Sequence, residues 1–277
     1  MIQRKGALNR VFILAAFTVL FVNSGPAQNS SLTSKMNEYM NAASKQGFAG
    51  AVLIARDGHV LFSGGYGLAN RELNVPNTPQ TKFRIGSLTK QFTAAAILLL
   101  EERGKLSVQD SLCKYFDNCP KDWSEVTLHH LLTHTSGIPS YSRGLKGVVN
   151  ARYLDMGHPY AAGALYSTVE DLHAWSEALF GGRLLSAKAL EVMTTPYKGD
   201  HAYGLFLTRV FNRKLIYHGG GISGFNSNLA RFPEEKITIV ALRNTDFGEP
   251  SPDTIADALA AILLGEKYEL PAGRRPI

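Results

Sequence analysis

Cysteine is scarce, with two in 277 residues. That excludes a disulfide-stapled scaffold and a four-cysteine zinc site. Internal repeats, long polar linkers and low-complexity tracts are also missing, so neither a solenoid nor a disordered tether is in view. Beyond the first 27 residues Lys and Arg form no cluster, and nucleic-acid binding therefore has no electrostatic footprint.

What is there begins with an export signal. Arg4, Lys5 and Arg10 precede an apolar stretch at 11–22, and Gly25-Pro26-Ala27 offers a cleavage site before Gln28. The stretch is too short to span a bilayer comfortably. Residues 1–27 are read as a signal peptide and 28–277 as one domain, periplasmic or secreted, with no stable membrane span after cleavage. The formal charge is +6; taking three cations from 29 leaves 26 Lys+Arg against 23 Asp+Glu, a net +3. Part of the basicity thus belongs to the signal.

A 45% hydrophobic fraction fits one globular unit with a substantial core. Strand-like runs at 48–54 and 60–66 flank Asp57-Gly58, a hairpin signal. Thr127 reads as the cap of a short helix over 128–134. Ser167-Thr168-Val169-Glu170 reads as a capping box, opening a helix that Gly181-Gly182 ends. Strand-like runs follow at 203–210, 214–218, 227–232 and 237–242, then a helix at 253–264. Strands at both ends with helices between predict an α/β (α+β) fold. N- and C-terminal segments form one antiparallel sheet, and helices cover its faces.

Ser87-Leu88-Thr89-Lys90 carries the chemistry. A serine hydroxyl is a weak nucleophile while its proton stays on. A lysine three residues later on a helix lies on the same face. Desolvation populates its neutral amine, which takes the proton. The helix N-terminus adds partial positive charge where an oxyanion would form. The same spacing also describes an N-cap serine before a solvated lysine. The apolar run at 92–100, ended by Gly104, decides against that: it reads as a helix buried nearly all round, with Lys90 at the core edge.

Cys113 and Cys119 have five residues between them. In an oxidising compartment a short-loop disulfide is favoured over two free thiols. His129, His130 and His134 fall within six residues, but no H-E-x-x-H pattern accompanies them, so no metal is assigned.

Four stretches together resemble the serine β-lactamase and penicillin-binding-protein group, in particular its class C β-lactamase-like branch. They are residues 83–90, Leu128-His129-His130-Leu131-Leu132-Thr133-His134-Thr135-Ser136-Gly137, Ala161-Ala162-Gly163-Ala164-Leu165-Tyr166-Ser167-Thr168, and Tyr217-His218-Gly219-Gly220-Gly221. The resemblance implies an exported serine hydrolase with a Ser87 acyl-enzyme and Lys90 as base. The substrate would be a β-lactam, a cell-wall peptide, or a simple ester or amide, and no cofactor is implied. It maps a K-T-G or H-x-G strand motif onto His218, Gly219 and Gly220, where glycines let substrate lie along the strand edge. Oxyanion donors would be the N–H groups of Gly221 and Ser87. The family's Y-x-N motif, whose tyrosine moves protons, has no match here. The interval 137–160 is short where relatives carry roughly a hundred more residues, a domain's worth of chain. Tyr141, Tyr153 and Tyr160 match that tyrosine by no motif. The alternative is a catalytically impaired or silent relative, either a binding module or an internally deleted product.

Overall fold

The computed structural model describes residues 26–138 and 154–272. Helix α1, Pro26–Lys45, leads into the hairpin of β1, Gly50–Arg56, and β2, His59–Tyr66. At its turn Asp57 and Gly58 have φ of 52° and 77°. These left-handed values are what a two-residue hairpin turn demands. A two-stranded pair, β3 (Leu68–Asn70) and β4 (Val75–Pro76), and the short β5 (Phe83–Arg84) precede α2, Thr89–Glu102. Then come α3 (Leu128–Leu132), α4 (Tyr160–Gly163), β6 (Tyr166–Ser167), α5 (Val169–Phe180) and α6 (Ala187–Met193). The chain closes with β7 (Phe206–Val210), β8 (Arg213–Ile222), β9 (Phe225–Phe232), β10 (Ile237–Arg243) and α7 (Pro252–Leu264).

The main sheet has the order β2-β1-β10-β9-β8-β7, antiparallel throughout. N-terminal β1 pairs with C-terminal β10, Gly50 opposite Arg243 through Arg56 opposite Ile237. The expected sheet of two chain ends is therefore the observed one. β1 and β10 are buried almost end to end because both faces are covered. Val52, Ile54, Ile239 and Ala241 pack with α1 and α7, while Ala51, Leu53, Val240 and Leu242 pack under α2 and α5. A third cluster joins α2, α5 and α6 through Ala95, Leu98, Leu179 and Met193.

Several elements depart from the sequence reading. α1 was not expected, although Met36, Tyr39, Met40 and Ala43 form a buried stripe at helical spacing. α6, capped by Ser186, was also unexpected. α5 is capped by Thr168, whose side chain accepts from Asp171 N, and not by a Ser167–Glu170 box. α3 stops at Leu132, two residues early, because His134 turns to φ 57°. β8 runs four residues past His218: pairing with Ser227, Asn228 and Asn226 on β9 holds Gly219–Gly221 extended despite their low strand propensity. α2 is not buried all round, for Ala96 and Leu100 are exposed.

Cys113 and Cys119 are joined in a disulfide, with Cα atoms 5.1 Å apart. The linked segment includes a turn of 3-10 helix capped by Ser111. Among the described residues no helix is long and apolar enough to cross a membrane.

Candidate active site

The approach to Ser87 is not a simple capped helix. Gly86–Leu88 form a 3-10 turn ahead of α2, and neither N-cap residue, Ile85 for the turn or Leu88 for α2, makes a side-chain cap bond. Gly86 has φ +51°, and a Cβ there would sit 3.0 Å from Gly221 N. A Cβ on Gly220 would fall 2.1 Å from Ile85 O, 2.4 Å from Ser227 Oγ and 3.1 Å from Ser87 N. The two backbones touch, and only glycine fits between them. Ser227 Oγ, on β9, donates to Ile85 O at 2.8 Å and pins the turn from below. Gly220 and Gly221 thus come against the Ser87 turn, and both candidate oxyanion N–H groups lie at this contact.

Lys90 Nζ is 2.7 Å from Ser87 Oγ and 2.9 Å from Ala162 O. As an ammonium, Lys90 donates to both. When neutral, the contact with Ser87 reverses and the hydroxyl donates to Nζ. Burial holds the Lys90 pKa below the ordinary lysine value, which raises the neutral fraction. The segment around Ala162 is strapped to α2 by three neighbouring side chains. Besides the Lys90 bond, Thr93 Oγ1 donates to Ala161 O at 2.6 Å, and Thr89 Oγ1 accepts from Leu165 N at 3.2 Å. Ile85 N donates to Leu165 O, and β5 pairs with β6.

His218 is 5% exposed and shares the Gly220 side of β8 by strand alternation. Its Nδ1 contacts Gly219 O. Burial pushes its pKa down to about 4, with Lys90, His134 and His201 adding like-charge repulsion against the Gly219 carbonyl's opposite effect. His218 is therefore a neutral imidazole near pH 7. The ring of Phe206 links it to His201, at centroid distances of 4.8 and 4.7 Å. His201 in turn meets Asp200 at 2.8 Å and the His134 ring at 6.1 Å.

The three clustered histidines divide their roles. His130 Nδ1 accepts from Thr127 N and closes a capping box. His129 Nδ1 meets Tyr203 Oη at 2.7 Å. His134, an exposed residue, borders the cavity beside Lys90; partial burial of the ring first, then Lys90 and His201, hold its pKa low. Among the described residues no group of three or more His, Cys, Asp or Glu could hold a metal.

Of the residues that sequence reasoning singled out, the structure brings Ser87, Lys90, Gly220 and Gly221 together. Sequence reasoning assigned no role to Ser227 or Thr93, which stand outside its motifs, nor to Thr89 and the Ala162 carbonyl, which lie within the quoted stretches; the three hydroxyls bond to backbone groups. Tyr160 is 75% exposed and turned to solvent, with φ +30°. Tyr141 and Tyr153 lie outside the described residues.

The family profile for Beta-lactamase matches this chain over residues 32–149 and 140–264. Penicillin-binding protein 4* of Bacillus subtilis (strain 168) is 32% identical over 184 residues, covering 62% of this chain and 40% of its own. Esterase EstB of Burkholderia gladioli is 38% identical over 116 residues, covering 39% and 30%. The chain thus spans less than half the length of these curated relatives. The solved structure of the octameric penicillin-binding protein homologue from Pyrococcus abyssi superposes with a TM-score of 0.71 at 24% identity, covering 86% of this chain and 79% of the other, which establishes the fold. The chain belongs to the beta-lactamase family.

Proposed function

We propose that this beta-lactamase-family member is an exported serine hydrolase of the class C-like branch, working through an acyl-enzyme on Ser87. One observation carries the reading: a desolvated lysine 2.7 Å from a serine hydroxyl at a helix start. Neutral Lys90 takes the Ser87 proton as Oγ attacks the carbonyl. Negative charge develops on the carbonyl oxygen against the N–H groups of Ser87 and Gly221. The carbonyl–leaving-atom bond then breaks, and the leaving atom receives the proton from Lys90. Water repeats the sequence in reverse to free Ser87. A penicillin-binding protein and an esterase among the relatives are compatible with peptide, β-lactam and ester substrates.

A second reading, a silent relative, draws on the missing Y-x-N motif and the short interval 137–160. Without that tyrosine a proton carrier and one wall of the cleft are lost, and loss of one member of a cooperating set removes most of the rate. We therefore expect slow acylation and very weak turnover of nitrocefin.

Labelling with a fluorophosphonate or a fluorescent penicillin separates the readings. Labelling lost in Ser87→Ala with the melt nearly unchanged supports the hydrolase. Undiminished labelling of the variant removes Ser87 as nucleophile, and no labelling of the folded parent leaves the silent relative. Periplasmic fractionation with N-terminal sequencing tests export, with Gln28 as the expected first residue.

A further inference from the structure

Beside Lys90 lies a cavity of about 230 Å³, bordered by Thr93, Leu131, Leu132, Ala161 and His134. Its volume is roughly seven to eight times the share of one water in the liquid. That is smaller than the usual room for a drug-sized ligand, so it suits one modest substituent. Apart from Lys90 and the edge of His134, the walls named are aliphatic or a threonine whose hydroxyl is already engaged with Ala161 O.

Which part of a substrate reaches it follows from the proton. The proton that leaves Ser87 must pass from Lys90 Nζ to the leaving oxygen or nitrogen. That atom must therefore come to Nζ, and the group it carries continues past Lys90. The acyl side would then lie across the Ser87 turn, against Gly220 and Gly221, whose backbone meets that turn. We infer that the cavity is a leaving-group pocket and that this hydrolase acts on esters or amides of small, uncharged, apolar alcohols or amines. The inference rests on the acyl-enzyme reading above. In the step itself the Ser87 Oγ–carbonyl bond forms and the carbonyl–leaving-atom bond breaks. The Ser87 proton ends on the released alcohol or amine.

Ethyl, butyl and hexyl acetate test this, with acetoxyacetate as the member bearing a carboxylate. All give the same acetyl-enzyme, so deacylation is common to the series. The acylation rate is read by intact mass of the Ser87 adduct, which needs no turnover. Each methylene buried should raise that rate about fourfold until the cavity is full. Acetoxyacetate should fall at least tenfold below ethyl acetate. Leu131→Trp should abolish the gain with chain length, and Leu131→Ala should move the optimum to longer alcohols. The two variants push opposite ways, so one misfolded variant does not protect the idea. A flat series, a preference for acetoxyacetate, or an unchanged optimum in Leu131→Ala overturns the pocket while fluorophosphonate labelling of Ser87 persists. Failure of that labelling overturns the hydrolase reading and the pocket together.

Discussion

The two walls that meet at Ser87 are built differently. On the β8 wall, backbone lies against backbone. Gly220 leaves no room for a methyl group, and Ser227 fixes Ile85 from a neighbouring strand. On the other wall, the segment 161–165 is held to α2 by single side-chain bonds from Thr89, Lys90 and Thr93, with one backbone bond, from Ile85 N to Leu165 O, and the short β5–β6 pair beside them. The first wall inherits the stiffness of a six-stranded sheet. The second depends on separate bonds each worth about 1 kcal/mol. Ser87 and Lys90 lie between them, the Ser87 turn set against the stiff side and Lys90 Nζ anchored on the soft one.

Gly220→Ala is the sharpest way to break the contrast. Its Cβ would fall 2.1 Å from Ile85 O, a backbone atom with little freedom to yield. We expect a loss of about 4 kcal/mol, within the range of severe core changes, and loss of Ser87 labelling even below the melt. A variant that labels normally would show that β8 can back away from the turn.

His218 probes the same stiff wall by pH. Its folded pKa of about 4 lies below the ordinary histidine value of about 6.5. Between these values the unfolded chain binds more protons than the folded one. The associated stability is therefore complete above about pH 6.5 and is lost as pH falls toward 4, up to about 3 kcal/mol. His218→Gln should flatten that part of a denaturant titration run across pH. A parent whose stability is constant from pH 7 to 4.5 would contradict a buried neutral ring.

The Cys113–Cys119 bridge supplies a control away from both walls. It closes a small loop, and its reduction should cost about 2 kcal/mol in the chain-entropy account. Differential alkylation before and after reduction reads its state, and Ser87 labelling at a temperature where the reduced protein stays folded should be unchanged. Altered labelling there would tie the loop to the site.

The difference between the walls also explains what the sequence made legible. The stiff wall rests on glycines and on a serine–lysine spacing, and such residues leave a visible pattern because few others fit. The hairpin at Asp57-Gly58 was readable for the same reason, since its turn demands positive φ. The soft wall lies in the quoted stretch 161–168, but its holding groups, the carbonyls of Ala161, Ala162 and Leu165, have no signature of their own, so the segment was visible and its bonds were not. The start of α2 was misjudged because the contact with β8, a tertiary constraint, imposes the 3-10 turn there. α1 was missed although its buried stripe at 36, 39, 40 and 43 was present in the letters. There the pattern was available and unused.

The smallest expected effect belongs to Thr93→Val. The substitution keeps the branched shape and removes the hydroxyl that donates to Ala161 O at 2.6 Å. Removing one such bond costs about 1 kcal/mol. Lys90 Nζ still reaches Ala162 O, so the lysine keeps one anchor to the strap. Because the strap is mostly separate side-chain bonds rather than a shared backbone surface, the loss should stay local. Amide exchange at 161–165 should quicken several-fold while exchange in β8 and β9 stays as in the parent. Labelling of Ser87 should slow by less than tenfold. Equal loosening of β8 would mean that the two walls share one cooperative unit, and the contrast drawn between them would fail.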